Sequence, residues 1–256
     1  MGRTLIQLIA GSQDATLAGA IEAPGNAALG KDAGEVAGVG PLSVRIVDDY
    51  SALAGPDNVA LDFTGAEPAL AHLEIAVGKD AAIVIGSTGF DPQQQRKVEE
   101  LAPKTRCVIA PNMSIGIAVL QQLIRQAAGA LGSDFDPEIV EIHHRMKVDA
   151  PSGTALALAR TVAEASGRSL EKDAVHGRSG VVGRRKPNEI GIMALRGGDA
   201  VGDHTVIFAG LGERLELTHR AQSRDCLARG AIRAGLWLIE QPPGRYGMAD
   251  VLGWSS

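Results

Sequence analysis

The sequence predicts an α/β fold in two parts, a parallel-sheet domain followed by an α+β domain whose sheet is mixed or antiparallel. Before residue 115, short apolar runs at Val44–Val47, Ala60–Phe63, Ala82–Ile85 and Cys107–Ala110 alternate with helical or loop stretches, the rhythm of βα units. After a helix predicted over Met113–Arg125 the rhythm changes. Strand-like runs at Ile139–His144, Glu189–Arg196, Asp203–Ala209 and Arg214–Thr218 succeed one another, the later ones through Gly-rich turns such as Arg196-Gly197-Gly198-Asp199, which reads as an antiparallel meander. Residues beyond Arg224 regain helical character through Trp237-Leu238-Ile239 and return to the first part. The expected domains are therefore 1–114 with 225–256, and 115–224.

Taken in order, Leu5–Ala10 is short and interrupted by Gln7, an amphipathic helix rather than a signal segment, and no apolar run approaches membrane length. Ile6 stands where an N-terminal lipidation motif needs Ser or Thr. Gly19-Ala20-Ile21-Glu22 reads as the end of a strand carrying an acidic residue. Gly86-Ser87-Thr88 and Ala110-Pro111-Asn112-Met113 each follow an apolar run, so both are placed at carboxyl ends of strands, the rim where α/β sheets bind ligands. The stretch Gly177–Val181 with Arg184-Arg185-Lys186 reads as a long loop whose charges form a solvated face. Ile190, Ile192 and Ala194 alternate with Met193 and Leu195 with few charges on either face, which points to a sheet that buries itself by self-association.

Composition excludes some functions. A net charge of −5 and 3% aromatic residues offer neither the basic footprint nor the stacking platform of a nucleic-acid binder. The 45% hydrophobic content of 256 residues suffices for a core. Cys107 and Cys226 form no metal or redox motif, which fits a reducing cytoplasm.

The densest chemistry lies in Glu141–Ala157, EIHHRMKVDAPSGTALA. A strand ends near His144, Arg145–Ala150 is too polar to be buried, and a helix starts near Ser152-Gly153-Thr154 with Ser152 or Thr154 as its cap. A glycine at a helix start leaves backbone N–H groups bare at the positive end of the dipole, a seat for a carboxylate or phosphate. His143, His144 and Lys147 lie just upstream, so an anionic ligand can be held from two sides while a histidine delivers a proton near neutral pH. The implied substrate is a small acid. Metal is not expected, because adjacent histidines on a strand point to opposite faces and no i, i+4 partner follows. Asp149 either orients Lys147 or caps the next helix, with the structural role weighing more.

This segment resembles the signature of the dihydrodipicolinate (4-hydroxy-tetrahydrodipicolinate) reductase family. Val84-Ile85-Gly86-Ser87-Thr88-Gly89-Phe90, Ala110-Pro111-Asn112-Met113-Ser114, Gly212-Glu213-Arg214-Leu215-Glu216 and His219-Arg220-Ala221 resemble further family motifs in the family order, so the likeness covers nearly the whole chain. It implies a Rossmann-like cofactor domain, a substrate and oligomerisation domain, and hydride transfer from a reduced nicotinamide to a cyclic dicarboxylate in lysine and diaminopimelate biosynthesis. By the resemblance, His143 is the proton donor and Lys147 the catalytic cation. His144, Gly153, Thr154 and, on spacing alone, Arg224 contact the substrate. Gly86, Ser87, Thr88, Ala110, Pro111, Asn112 and Met113 form cofactor loops, and the assembly is a homotetramer joined through the second domain.

The chain departs from the family in its cofactor half. Met1–Ile9 matches the last part of the dinucleotide fingerprint and the first helix, so Met1 is carried over as a cofactor residue while the first strand and the Gly-rich loop are expected to be missing. The start is then either an internal methionine of a longer chain or a real truncation. Loss of a central strand should leave unpaired backbone and an apolar cleft, with weakened cofactor binding. Glu22 suits the ribose hydroxyls of NADH, and Ala23-Pro24 stand where the family often has a base for the 2′-phosphate, so NADH is favoured and NADPH possible. Gly65 replaces an arginine frequent in the family. Two other classes stay open: a catalytically impaired dicarboxylate-binding relative lacking the phosphate loop, and an oligomeric scaffold with an incidental anion site.

Overall fold

The computed structural model describes residues 1–254 of the chain. In order, the elements of the amino-terminal part are α1 (Gly2–Ala10), β1 (Ala20–Ile21), α2 (Ala33–Ala37), β2 (Ile46–Val47), β3 (Val59–Asp62), α3 (Ala66–Gly78), β4 (Ala82–Ile85), α4 (Pro92–Leu101) and β5 (Arg106–Ile109). There follow α5 (Ile115–Leu131), β6 (Asp136–His143), α6 (Gly153–Ser166), α7 (Leu170–Asp173), β7 (Ala174–Val175), β8 (Ile190–Arg196), β9 (Gly202–Ala209) and β10 (Arg214–Ala221). The chain closes with α8 (Asp225–Leu238), β11 (Gly244–Tyr246) and α9 (Met248–Val251). Two compact units result: Met1–Ile115 together with the chain from Asp225 onward, and Gly116–Arg224.

The first unit is built on a four-stranded parallel sheet in the order β11-β5-β4-β3. A strand paired on both edges and covered on both faces has no polar side, and β4 accordingly reads Ala-Ile-Val-Ile with all four residues buried. Leu73 of α3 and Val98 of α4 pack with Ile83, Ile85 and Cys107 to form its core. The amino end of α4 is fixed by a capping box between Asp91 and Gln94 with Pro92 in the first turn. α8 packs against β3, β4 and β5, and Gly230 lets it close on the Met113 carbonyl, where any side chain would overlap backbone.

A second, parallel pair, β1 and β2, packs with α1 and α2 around Ile6, Ala33, Ala37 and Ile46. Among the described residues β1 pairs only with β2 and β3 only with β4. A cleft of about 510 Å³ is lined by Gly19–Ile21, by Val59–Asp62, and by apolar residues of α1 (Leu5, Ile6) and α8 (Ile232, Leu236).

The second unit holds a five-stranded mixed sheet in the order β10-β9-β6-β8-β7. Among the described residues only β9 and β10 form a hairpin. The Gly-rich turn after β8 does not close a meander, because β6 lies between β8 and β9, parallel to the first and antiparallel to the second. The reason is the crossover between β6 and β8, which carries α6 and so returns the chain in a parallel sense. α5 and α6 cover one sheet face, burying Ile124, Ile139, Leu158, Val162 and Phe208. The other face carries Val140, Ile142, Met193 and Leu195 in register, with Leu195 half exposed.

The long loop before β8 corrects a second expectation. Its arginines do not all lie on a solvated face. Arg178 grips Glu138 through two hydrogen bonds of 2.9 Å, and Arg185 donates to Asp136 at 2.7 Å, to Glu138 at 3.1 Å and to the Pro137 carbonyl at 3.1 Å. Arg184 between them is exposed. Burial works against the charge of Glu138, and the two arginines overcome it and hold the carboxyl below its ordinary value.

Candidate active site

In the first unit, the carboxyl ends of β3, β4 and β5 bring three loops to one rim. Asp62 organises it: nearly fully buried, it accepts from Ser87 Oγ at 2.8 Å and from Thr64 Oγ1 at 2.8 Å and N at 3.0 Å, and it meets His72 Nδ1 at 2.6 Å. Burial opposes its charge, but the bonds from His72, Thr64 and Ser87 keep the carboxyl below its ordinary value. Gly86 lies flush on the Phe63 ring, with no space for a side chain, so this loop offers backbone and the Ser87 and Thr88 side chains. In the next loop Asn112 Oδ1 accepts from the Ser114 amide at 2.8 Å, and Met113 is buried. Tyr50 edges onto His72 with ring centroids 5.2 Å apart, and its hydroxyl, pushed up to about 12 by burial and by the charge of Asp62, has no hydrogen-bond partner among the described residues.

In the second unit, β6 carries Glu141 and His143 two residues apart, hence on one face. Glu141 is fully buried, and its four contacts fill the carboxylate. Oε1 accepts from the Ser152 amide at 3.0 Å and Arg196 Nη2 at 2.9 Å, while Oε2 accepts from Arg196 Nη1 at 2.8 Å and meets His143 Nδ1 at 2.6 Å. Burial raises the cost of its charge, yet Arg196, His143 and the Ser152 amide together hold it below its ordinary value, so Glu141 is an anion at neutral pH. An anionic acceptor places a proton on His143 Nδ1 and leaves Nε2 as the working nitrogen.

The rest of the site is assembled around this pair. Ser152 caps α6 by accepting the Ala155 amide at 3.1 Å, and its hydroxyl lies 3.2 Å from Nε2 of the buried His204. His204 is neutral, its value lowered to about 4 by burial first and by nearby His143 second, and its ring sits edge-on to His143 at 5.2 Å. The loop after β6 is clamped by the β8–β9 turn: His144 N donates to the Ala200 carbonyl at 2.7 Å and Arg145 N to that of Gly198 at 3.2 Å. Lys147 Nζ is then held by both oxygens of Asp149, at 2.7 and 2.8 Å.

The segment expected to carry the chemistry is thus brought together: His143, His144, Lys147, Gly153 and Thr154 all lie around the end of β6 and the start of α6. Among the described residues nothing beyond its chain neighbours and its own helix backbone lies within 4 Å of where a Gly153 side chain would project, so the helix start is open. Asp149 takes the role weighed less, because Ser152 is the cap and the Asp149 carboxylate is on Lys147. Arg224 stands exposed past the end of β10. In the first unit, Gly86, Ser87, Thr88, Ala110, Pro111 and Asn112 share the rim, whereas Met1 is exposed at the start of α1 and Glu22 is exposed just beyond β1, accepting its neighbour's Ala23 amide at 2.9 Å. Glu141, Arg196, His204, Asp62 and His72 join these sites without standing out in the sequence. Glu141 alone had a local signal, its spacing of two from His143. The others are joined only by register and packing. Among the described residues no three His, Cys, Asp or Glu side chains are grouped to hold a metal, and no helix is long and apolar enough to cross a membrane.

Comparison with known proteins places relatives across both units. Residues 1–113 match the family model described as dihydrodipicolinate reductase, N-terminus, and residues 116–252 match dihydrodipicolinate reductase, C-terminus. The chain is 51% identical to the 4-hydroxy-tetrahydrodipicolinate reductase of Anaeromyxobacter dehalogenans, covering 99% of this chain and 94% of that protein. It is 50% identical to the same-named protein of Syntrophobacter fumaroxidans, over 99% and 95%. In fold it is similar to a dipicolinate-bound dihydrodipicolinate reductase from Paenisporosarcina sp. TG-14, with a TM-score of 0.73 over 97% of this chain and 94% of that one at 22% identity. Matched across both of its units, and sharing about half its residues with these relatives, the chain belongs to the dihydrodipicolinate reductase family.

Proposed function

We propose that this chain reduces 4-hydroxy-tetrahydrodipicolinate to tetrahydrodipicolinate, a step of lysine and diaminopimelate biosynthesis. The observation that supports it most is the pairing of His143 with the buried, anionic Glu141 at the open amino end of α6. Such a carboxylate fixes the orientation of the ring, so His143 presents Nε2 for proton delivery. Lys147 supplies positive charge where negative charge develops, and the Gly153 and Thr154 amides with the Thr154 hydroxyl and His144 seat a carboxylate. Arg224 is assigned to the second carboxylate.

A reduced nicotinamide supplies the hydride. The residues of the first unit fit such a group: Glu22 offers an exposed acceptor to ribose hydroxyls, Met1 is the N-cap of α1 and makes no side-chain capping bond, and the Gly86–Thr88 and Ala110–Met113 loops present a strand-end rim steadied by Asp62. With Ala23 and Pro24 after Glu22, no cation follows to meet a 2′-phosphate, which favours NADH over NADPH. Residues 1–114 with 225–256 form the cofactor domain, and 115–224 bind substrate and join a homotetramer through the Val140, Ile142, Met193 and Leu195 sheet face. The enzyme works in the cytoplasm.

Calorimetric titration with pyridine-2,6-dicarboxylate tests the substrate class. Binding should weaken by about 10-fold or more in Lys147→Ala, since a charge-assisted contact is lost. Equal affinity for pyridine-2-carboxylate would contradict a dicarboxylate site.

A further inference from the structure

We propose that Arg196 is the positioning residue that sets His143 and Lys147 in place together, through Glu141 on one side and Asp149 on the other. The inference rests on the assignment of those two residues to the acid chemistry. Arg196 has four terminal N–H groups and each has a defined acceptor. Nη1 reaches Glu141 Oε2 at 2.8 Å and the Leu195 carbonyl at 2.6 Å, and Nη2 reaches Glu141 Oε1 at 2.9 Å and the Asp149 carbonyl at 2.7 Å. Glu141 in turn holds His143 Nδ1, and the Asp149 side chain holds Lys147 Nζ. One guanidinium therefore links two side chains that lie on different segments, the end of β6 and the loop beyond it.

The geometry also explains why an arginine is required. Glu141 has no exposure to solvent, and a buried carboxylate without a countercharge takes up a proton. A protonated Glu141 no longer offers His143 Nδ1 the anionic acceptor that orients its ring. Only a planar fork can bind both carboxylate oxygens and still reach the Asp149 carbonyl; a lysine at the same position carries the charge on a single atom. The residue comes from β8, opposite His143 in the parallel register of β6 and β8, so it approaches from outside the segment that holds the chemistry.

Arg196→Lys and Arg196→Met test this in the full-length protein. Both should lower kcat by about 100-fold while leaving KM for NADH unchanged, the signature of misplaced acid groups rather than lost cofactor binding. Nuclear magnetic resonance gives a readout independent of turnover: the short hydrogen bond from His143 Nδ1 to Glu141 should produce a far-downfield proton that is present in the parent, absent in His143→Gln, and lost or strongly shifted in both arginine variants. If the parent protein shows no reductase activity, the functional reading fails while the proton resonance still decides the positioning role. Variants that keep the resonance and the parent kcat, and lose only thermal stability, would overturn the proposal and make Arg196 a purely structural residue.

Discussion

Gly202 of β9 lies so close under the His143 ring that a methyl group at its position would sit 2.9 Å from Nε2. That nitrogen is the one left free by the bond from Nδ1 to Glu141. Gly202→Ala places a carbon inside ordinary contact distance of a ring that the anchor cannot release, so the ring must tilt. We expect kcat to fall by about 10-fold or more with a change in Tm of only a few degrees, since a small misplacement of an acid group is costly in rate. Parallel kinetics and thermal melts check this, and an unchanged kcat would show that Nε2 does not face the chemistry.

His204 makes stability depend on pH. Its value falls from the ordinary 6.5 to about 4, chiefly through burial, with Glu141, His143, His219 and Lys147 as its charged neighbours. Below pH 6.5 the unfolded chain binds a proton that the native site refuses until about pH 4, so stability declines as pH drops through this window, by on the order of 3 kcal/mol from this residue. His219, lowered by burial, adds in the same direction. Urea midpoints measured between pH 7 and pH 4 should fall less steeply in His204→Gln; an identical slope would remove His204 as the cause.

The arginine strap before β8 is a structural device. Arg185 satisfies Asp136 and Glu138 together with three backbone carbonyls, those of Pro137, Lys186 and Glu189. Arg185→Ala leaves the partly buried Glu138 with Arg178 alone and should lower unfolding free energy by about 2 kcal/mol. Chemical denaturation reports it directly, and a loss below the measurement error would return these charges to a solvated role.

Cofactor choice turns on the residue after Glu22. Ala23→Arg places a guanidinium beside the acid and should raise kcat/KM with NADPH by about 10-fold, while NADH is little affected. No gain with NADPH would mean that the ribose lies elsewhere.

The fold was legible wherever local pattern and burial coincide. β4 was predicted to the residue because a doubly covered strand is apolar throughout, and α6 because Ser152 and Gly153 mark a helix start. The order of the second sheet was not, since a Gly-rich turn looks alike whether or not it closes a hairpin, and β6 enters between β8 and β9 only through pairing. The same holds for the site. His143, Lys147 and the helix start occupy one segment and announce themselves together. Arg196 and His204 reach that segment across strands, in registers that no local spacing encodes, and Arg185 looks like any loop charge until Glu138 is found beneath it.

The most direct measurement is turnover: oxidation of NADH followed by absorbance, with the condensation product of aspartate semialdehyde and pyruvate made fresh as substrate, for the 256-residue chain and for His143→Gln and Lys147→Ala. Clear turnover by the parent and a loss of kcat by about 100-fold or more in each variant are expected. Parent-like kcat in both variants would contradict the assignment of the acid chemistry to this site, and absence of turnover in the parent would contradict the proposed function of this chain.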